Sequence, residues 1–117
     1  IGEVVWVEDE SLIDPVTAVS GSGPAYVFLM IECLARAGKA QGLPPDTAEK
    51  LARATVAGSG ELARVSDESA ETLRVNVTSP GGTTAAALEV LMEEEGLGRL
   101  MDRAVDAATR RSRELAG

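Results

Sequence analysis

Ser79-Pro80-Gly81-Gly82-Thr83-Thr84 runs straight into the apolar-periodic stretch Ala85, Leu88, Leu91 and Met92. Unpaired N–H groups at a helix start attract a carboxylate or phosphate, and a proline suits the first helical turn. The two glycines remove side chains that would block such an anion, while Thr83 and Thr84 add hydroxyl donors. Ser79, Gly81, Gly82, Thr83 and Thr84 are therefore candidate ligand-binding residues. The competing reading makes Ser-Pro-Gly-Gly a plain turn and Thr an ordinary helix cap.

A second candidate is Ser20-Gly21-Ser22-Gly23-Pro24. Its paired glycines serve either helix contact at a kink or the close approach of a flat ligand to bare backbone. It is no dinucleotide fingerprint, because it lacks the strand, GxGxxG and helix in succession.

Other chemistries are excluded by composition. The chain has no histidine, so imidazole bases, His triads and His metal sites are absent. One cysteine, Cys33, permits neither an internal disulfide nor a thiolate zinc cluster, and its apolar setting makes it a small core residue. A net charge of −8, from 19 acidic and 11 basic residues, opposes general attraction to nucleic acid or anionic lipid. Glu93-Glu94-Glu95 beside Gly96 reads as a solvated helix end, and no metal is expected.

These motifs need rigid elements to hold them, and the expected class is all-α. At 117 residues and 44% hydrophobic, the chain fits one globular domain, and its aromatics are one Phe, one Tyr and one Trp. Ala, Leu and Val must therefore build the interior, which suits packed helices. Helix starts are expected after Asp14-Pro15, at Ser20 to Pro24 as a fresh start or kink, and at Leu43-Pro44-Pro45-Asp46. Gly38 and Gly42 end the helix from Ala25 to about Ala37, whose charged residues Glu32 and Arg36 are spaced for a surface pair.

The next helix carries Ala48, Leu51, Ala52, Thr55, Gly58, Leu62 and Val65 inward, and Ser66-Asp67-Glu68-Ser69 breaks it. A short segment from Ala70 to Val75 leads to the Ser79 turn. The following helix is expected to bury Ala87, Leu88, Leu91 and Met92. The last buries Leu97, Leu100, Met101, Ala104, Val105, Ala108 and Leu115.

The helix from Ala25 is apolar almost all round, which calls for a covering second subunit, with the chain's own other helices as the alternative. Its run Ala25–Leu34 is too short, and with Glu32 too polar, for a membrane span, and no signal peptide is seen, so a cytoplasmic location is expected. Val4-Val5-Trp6-Val7 reads as one β-strand without partners, and a lone strand cannot satisfy its backbone. A sheet-bearing domain is expected upstream, making residues 1–13 a linker with a remnant strand and 14–117 the helical domain.

Taken together, Val19-Ser20-Gly21-Ser22-Gly23-Pro24-Ala25-Tyr26, Gly42-Leu43-Pro44, Val77 to Thr84 and the Arg111–Leu115 ending closely resemble pyrroline-5-carboxylate reductase. The resemblance covers essentially the whole chain and corresponds to the C-terminal helical dimerisation domain, with Val4–Val7 as the last strand of an N-terminal Rossmann domain. It implies hydride transfer from NADPH or NADH to the C=N bond of 1-pyrroline-5-carboxylate, giving L-proline. It also implies an interleaved homodimer, which some members assemble into a decamer.

By the same resemblance, Ser79 and Gly81-Gly82-Thr83-Thr84 match the cradle for the substrate carboxylate. Thr84 matches the threonine whose hydroxyl points toward the ring nitrogen, where it orients the substrate. Gly23 and Pro24 match the edge facing the nicotinamide ring, with Ser20 supporting that turn, so cofactor contacts fall on Ser20, Gly23 and Pro24. Val75 and Asp67 depart from the family pattern outside the cradle. Two other classes stand beside this one: a free-standing helical oligomerisation module without activity, and the helical domain of another NAD(P)-dependent imine or hydroxyacid reductase.

Overall fold

The structure, a computed structural model, describes residues 9–117. Among them every regular element is helical, as expected for an all-α domain. The strand expected at Val4–Val7 lies outside the described residues.

The chain divides into two compact units, one ending at Pro24 and resumed by Met92–Gly117, the other formed by Ala25–Leu91. In the first unit, Asp9 caps a 3-10 turn, Glu10–Leu12, by accepting the Ser11 N–H at 2.9 Å. That backbone donor, helped by the Ser11 side chain, holds the Asp9 carboxyl below the usual aspartate value. Helix α1 (Ile13–Val16) follows and carries Pro15 in its first turn, where a missing N–H costs nothing.

Then comes a π-turn, Thr17–Gly21, closed by Ser22 N–H donating to the Thr17 carbonyl at 2.9 Å. Both α1 and this turn pack on helix α6 (Leu97–Ala116). Ala18 is fully buried, and Thr109 on α6 is 9% exposed. Thr109 returns its hydroxyl to the Val105 carbonyl at 2.8 Å, so burial leaves no polar group orphaned.

Helix α2 (Gly23–Ala40) runs into the second unit and ends three residues past the expected end. Gly38 lies inside it, and Gly42 ends it at φ +104°. Leu43 N–H donates to the Gly38 carbonyl and Gly42 N–H to the Lys39 carbonyl, at 3.1 and 2.9 Å. This is a Schellman ending, and its left-handed position calls for glycine. Helix α3 (Pro45–Val65) starts from an extended Pro44, with Pro45 and Asp46 in the first turn as expected. It folds back on α2 through Ala35, Ala48 and Ala52, with Ile31 at the edge. Gly38 permits this approach, for a Cβ there would stand 3.1 Å from Leu43 and 3.6 Å from Ala48.

The interior is thus alanine, and no large side chain is fully buried among the described residues. This corrects several inward assignments. Leu51, Leu62 and Val65 of α3, Leu91 and Met92, and Leu97, Leu100 and Leu115 of α6 are all exposed, as are Ala87 and Ala104. On α6 the expected Met101, Val105 and Ala108 are covered, and the covered face continues through Thr109 and Ser112. Hydropathy alone cannot choose between two apolar stripes on one helix, because the choice is made by the neighbour. Arg36 also departs from expectation, directing its guanidinium to Cys33 Sγ at 3.7 Å rather than to Glu32.

The helical run Glu10–Ala40, 31 residues, is long and apolar enough by length and composition to cross a bilayer. The run Ala25–Leu34, too short by itself, is only part of it, because the π-turn joins α1 to α2 without a break.

Candidate functional site

Helix α4 (Ala70–Asn76) is started by Ser69, whose Oγ accepts the Thr72 N–H at 3.0 Å, as the Ser66 to Ser69 break suggests. Its end is closed by Thr78, whose N–H donates to Val75 and whose hydroxyl donates to the Arg74 carbonyl at 2.6 Å. Thr78 thus turns the chain toward Ser79, a role that sequence reading missed. Its only sequence signal is a hydroxyl just past a helix end.

Gly82 N–H donates to the Ser79 carbonyl at 3.0 Å, and Gly81 has φ +72°. Ser79 to Gly82 is therefore a type II turn, with Pro80 pre-setting the second position and glycine required at the third. Gly82 sits tight, for a Cβ on it would lie 3.3 Å from the Ser79 carbonyl oxygen. The Gly82 carbonyl in turn accepts Ala86 N–H at 3.2 Å, the first bond of helix α5 (Thr83–Leu91).

Two sequence expectations change here. Pro80 belongs to the turn and not to the first helical turn. The Gly82 amide, expected in the anion cradle, is already spent on Ser79. The donors at the helix start are the N–H groups of Thr83, Thr84 and Ala85, which helical geometry leaves without an intrahelical partner. The turn chemistry read in the sequence is present and does not compete with a helix start, because the type II turn delivers the chain to it.

Thr83 and Thr84 are exposed, and no acidic residue occupies the first turn of α5. The partial positive charge of that helix end is therefore uncompensated, which suits a small carboxylate. The hydroxyls of Thr83 and Thr84 add donors beside the amides.

Ser20 to Pro24 belongs to the other unit. Ser20 lies exposed inside the π-turn. Ser22 has helical angles, φ −87° and ψ −19°, so the segment is a kink in continuing helix and not a capped fresh start. Helix α2 (Gly23–Ala40) begins directly after it, with Pro24 at its second position. A Cβ on Gly23 would meet nothing within 4 Å, and Pro24 is exposed. The pair presents an open backbone edge against which a flat ring can lie.

Asp14 and Ser112, which sequence reading did not single out, join α1 to α6: the Ser112 hydroxyl donates to Asp14 Oδ1 at 2.6 Å. Among the described residues no group of three His, Cys, Asp or Glu side chains is placed to hold a metal.

Residues 10–115 match the family profile described as pyrroline-5-carboxylate reductase dimerisation. The chain is 44% identical over 116 residues to a pyrroline-5-carboxylate reductase of Pseudomonas aeruginosa, covering 99% of this chain and 42% of that protein. It is 52% identical over 115 residues to the Synechocystis enzyme of the same name, covering 98% and 42%. The structure of the Coxiella burnetii reductase superposes with a TM-score of 0.92 at 44% identity, covering 98% of this chain and 42% of that one. A Plasmodium falciparum pyrroline carboxylate reductase solved with NADP bound gives 0.85 at 38% identity, covering 93% and 41%. The chain thus spans less than half the length of these relatives, and it belongs to the pyrroline-5-carboxylate reductase family through its dimerisation domain.

Proposed function

We propose that this chain is the dimer-forming, substrate-holding part of a reductase that transfers a hydride from NADPH or NADH to 1-pyrroline-5-carboxylate, giving L-proline. The observation that carries the reading is the type II turn at Ser79 to Gly82, which sets unpaired amides of Thr83, Thr84 and Ala85 beside two hydroxyls. The pyrroline ring presents one carboxylate, and this helix start offers donors for one small anion. With the carboxylate held there, the Thr84 hydroxyl orients the ring nitrogen. An unaided hydroxyl is a poor acid, so orientation is its contribution.

The Gly23-Pro24 edge takes the nicotinamide ring, and its bare backbone supports that role because no side chain obstructs a flat face. When bound, the cofactor supplies the hydride. The domain contributes a fixed ring position and exclusion of water, which suffices for a carbon already electrophilic. NADP in the Plasmodium relative supports a nicotinamide cofactor.

The exposed faces of α2, α3 and α6 are assigned to a second subunit of the same kind. Phe28 is 63% exposed and Leu29 57%, on a helix whose own neighbours bury only alanine. The test is Thr84→Ala in the complete reductase. The expected result is a loss of about tenfold or more in kcat/KM for the imino acid. An unchanged value removes Thr84 from the site.

A further inference from the structure

The π-turn Thr17–Gly21 and the Arg111–Leu115 ending have no part in the carboxylate cradle, yet the structure connects them. A π-turn within a helix persists where tertiary contacts hold it, since its hydrogen bonding is less favourable than the α-helical pattern. Here the contacts come from α6. Ala18, in the turn, is fully buried, and one helical turn earlier Asp14 keeps a side chain only 21% exposed. The Ser112 hydroxyl reaches Asp14 Oδ1 at 2.6 Å across 98 positions of sequence. A hydroxyl donating to a carboxylate at this length is a charge-assisted bond of the stronger kind.

The other groups near this bond do not replace it. Arg113 Nε stands 3.9 Å from Asp14 Oδ2 with its side chain 59% exposed, a weak, screened pair. The Thr109 hydroxyl, one helical turn before Ser112, is engaged by the Val105 carbonyl. Ser20, inside the turn, is exposed.

We propose that Asp14 and Ser112 are positioning residues: their hydrogen bond clamps α1 to α6 just ahead of the π-turn, holds the turn on α6 through it, and so sets where Gly23 and Pro24 stand against the nicotinamide ring. The proposal rests on the assignment of that edge to the cofactor. Neither residue belongs to the edge itself. Both act through the backbone of the turn, closed by Ser22 N–H on the Thr17 carbonyl.

The test uses the complete reductase with Ser112→Ala, Ser112→Thr, Asp14→Asn, Arg113→Ala and Gly23→Ala. Ser112→Ala and Asp14→Asn are expected to lower kcat about tenfold and to raise KM for NADPH, because small displacements of reacting groups are costly. KM for pyrroline-5-carboxylate stays within about twofold, as do all constants of Arg113→Ala. Ser112→Thr, which keeps the hydroxyl, restores kcat. Hydrogen exchange of the Ser22 amide accelerates in Ser112→Ala, a readout independent of turnover.

The proposal is overturned if Ser112→Ala keeps kcat, cofactor KM and Ser22 exchange unchanged while Gly23→Ala is impaired. If Gly23→Ala itself behaves as the parent enzyme, the cofactor-side assignment falls and the proposal falls with it. Should Ser112→Ala not fold, Asp14→Asn decides by the same criteria.

Discussion

Replacing Gly81 by alanine isolates the contribution of a single backbone conformation. Its φ is +72°, and a Cβ at that position would meet nothing within 4 Å, so steric crowding plays no part. The cost is conformational, about 1–2 kcal/mol for an L-residue held in the left-handed region. That disfavours the turn by about 5- to 30-fold. Alanine also favours a type I turn, which flips the Pro80-Gly81 peptide and exchanges the positions of its N–H and carbonyl.

Gly42 supplies the control, because it too has positive φ, +104°, with open space around its Cβ, but it ends α2 and takes no part in the turn. Both alanine variants of the complete reductase should lose about 1–2 kcal/mol in urea unfolding. Only Gly81→Ala should raise KM for pyrroline-5-carboxylate, by about 5- to 30-fold. Gly81→Asn should recover much of the loss, since asparagine tolerates the left-handed region. Equal KM changes in Gly81→Ala and Gly42→Ala, or none in either, would refute the link between turn conformation and substrate binding.

Truncating Phe28 to alanine should weaken self-association by about 100-fold or more, since a two-fold interface loses the side chain twice. Sedimentation velocity over a dilution series measures this, and an unchanged dissociation constant would take Phe28 out of the interface. Arg64 donates to Glu61 and holds its carboxyl below the ordinary glutamate value. A depressed folded value means stability present above the unfolded pKa and lost as pH falls through the folded one. Carbon-detected NMR titration should show the Glu61 midpoint moving up toward 4.5 in Arg64→Ala, while no movement would deny the pairing.

Local chemistry was legible in the sequence wherever a residue acts on its near neighbours. Gly42, Pro44-Pro45, the Ser66 to Ser69 break and the turn at Gly81 all stand where their backbone preferences place them. Pro80 was misplaced because proline suits both the second position of a type II turn and the start of a helix. The Pro-Gly pair was the available signal for the turn. What the sequence could not show is which face of a helix meets which neighbour. Leu100 and Met101 are both apolar, yet only Met101 is half-buried, because one face of α6 meets α1 and the π-turn, and on that face Ser112 bonds Asp14. A bond across 98 positions leaves no local trace.

The alanine interior reverses the usual map of mutational risk. Alanine has almost nothing to truncate, so the large-to-small changes that normally find a protein's weak points have no target at Ala35, Ala48 or Ala52. Damage there comes chiefly from enlargement, with glycine costing only its helix propensity. With a second subunit on those faces as proposed, the vulnerable truncations are Phe28, Leu29 and Leu51, positions that a solvent-exposure profile of one chain ranks as tolerant. In the proposed dimer the unit on which substitutions act is the pair, and the melting temperature should then carry a term in protein concentration.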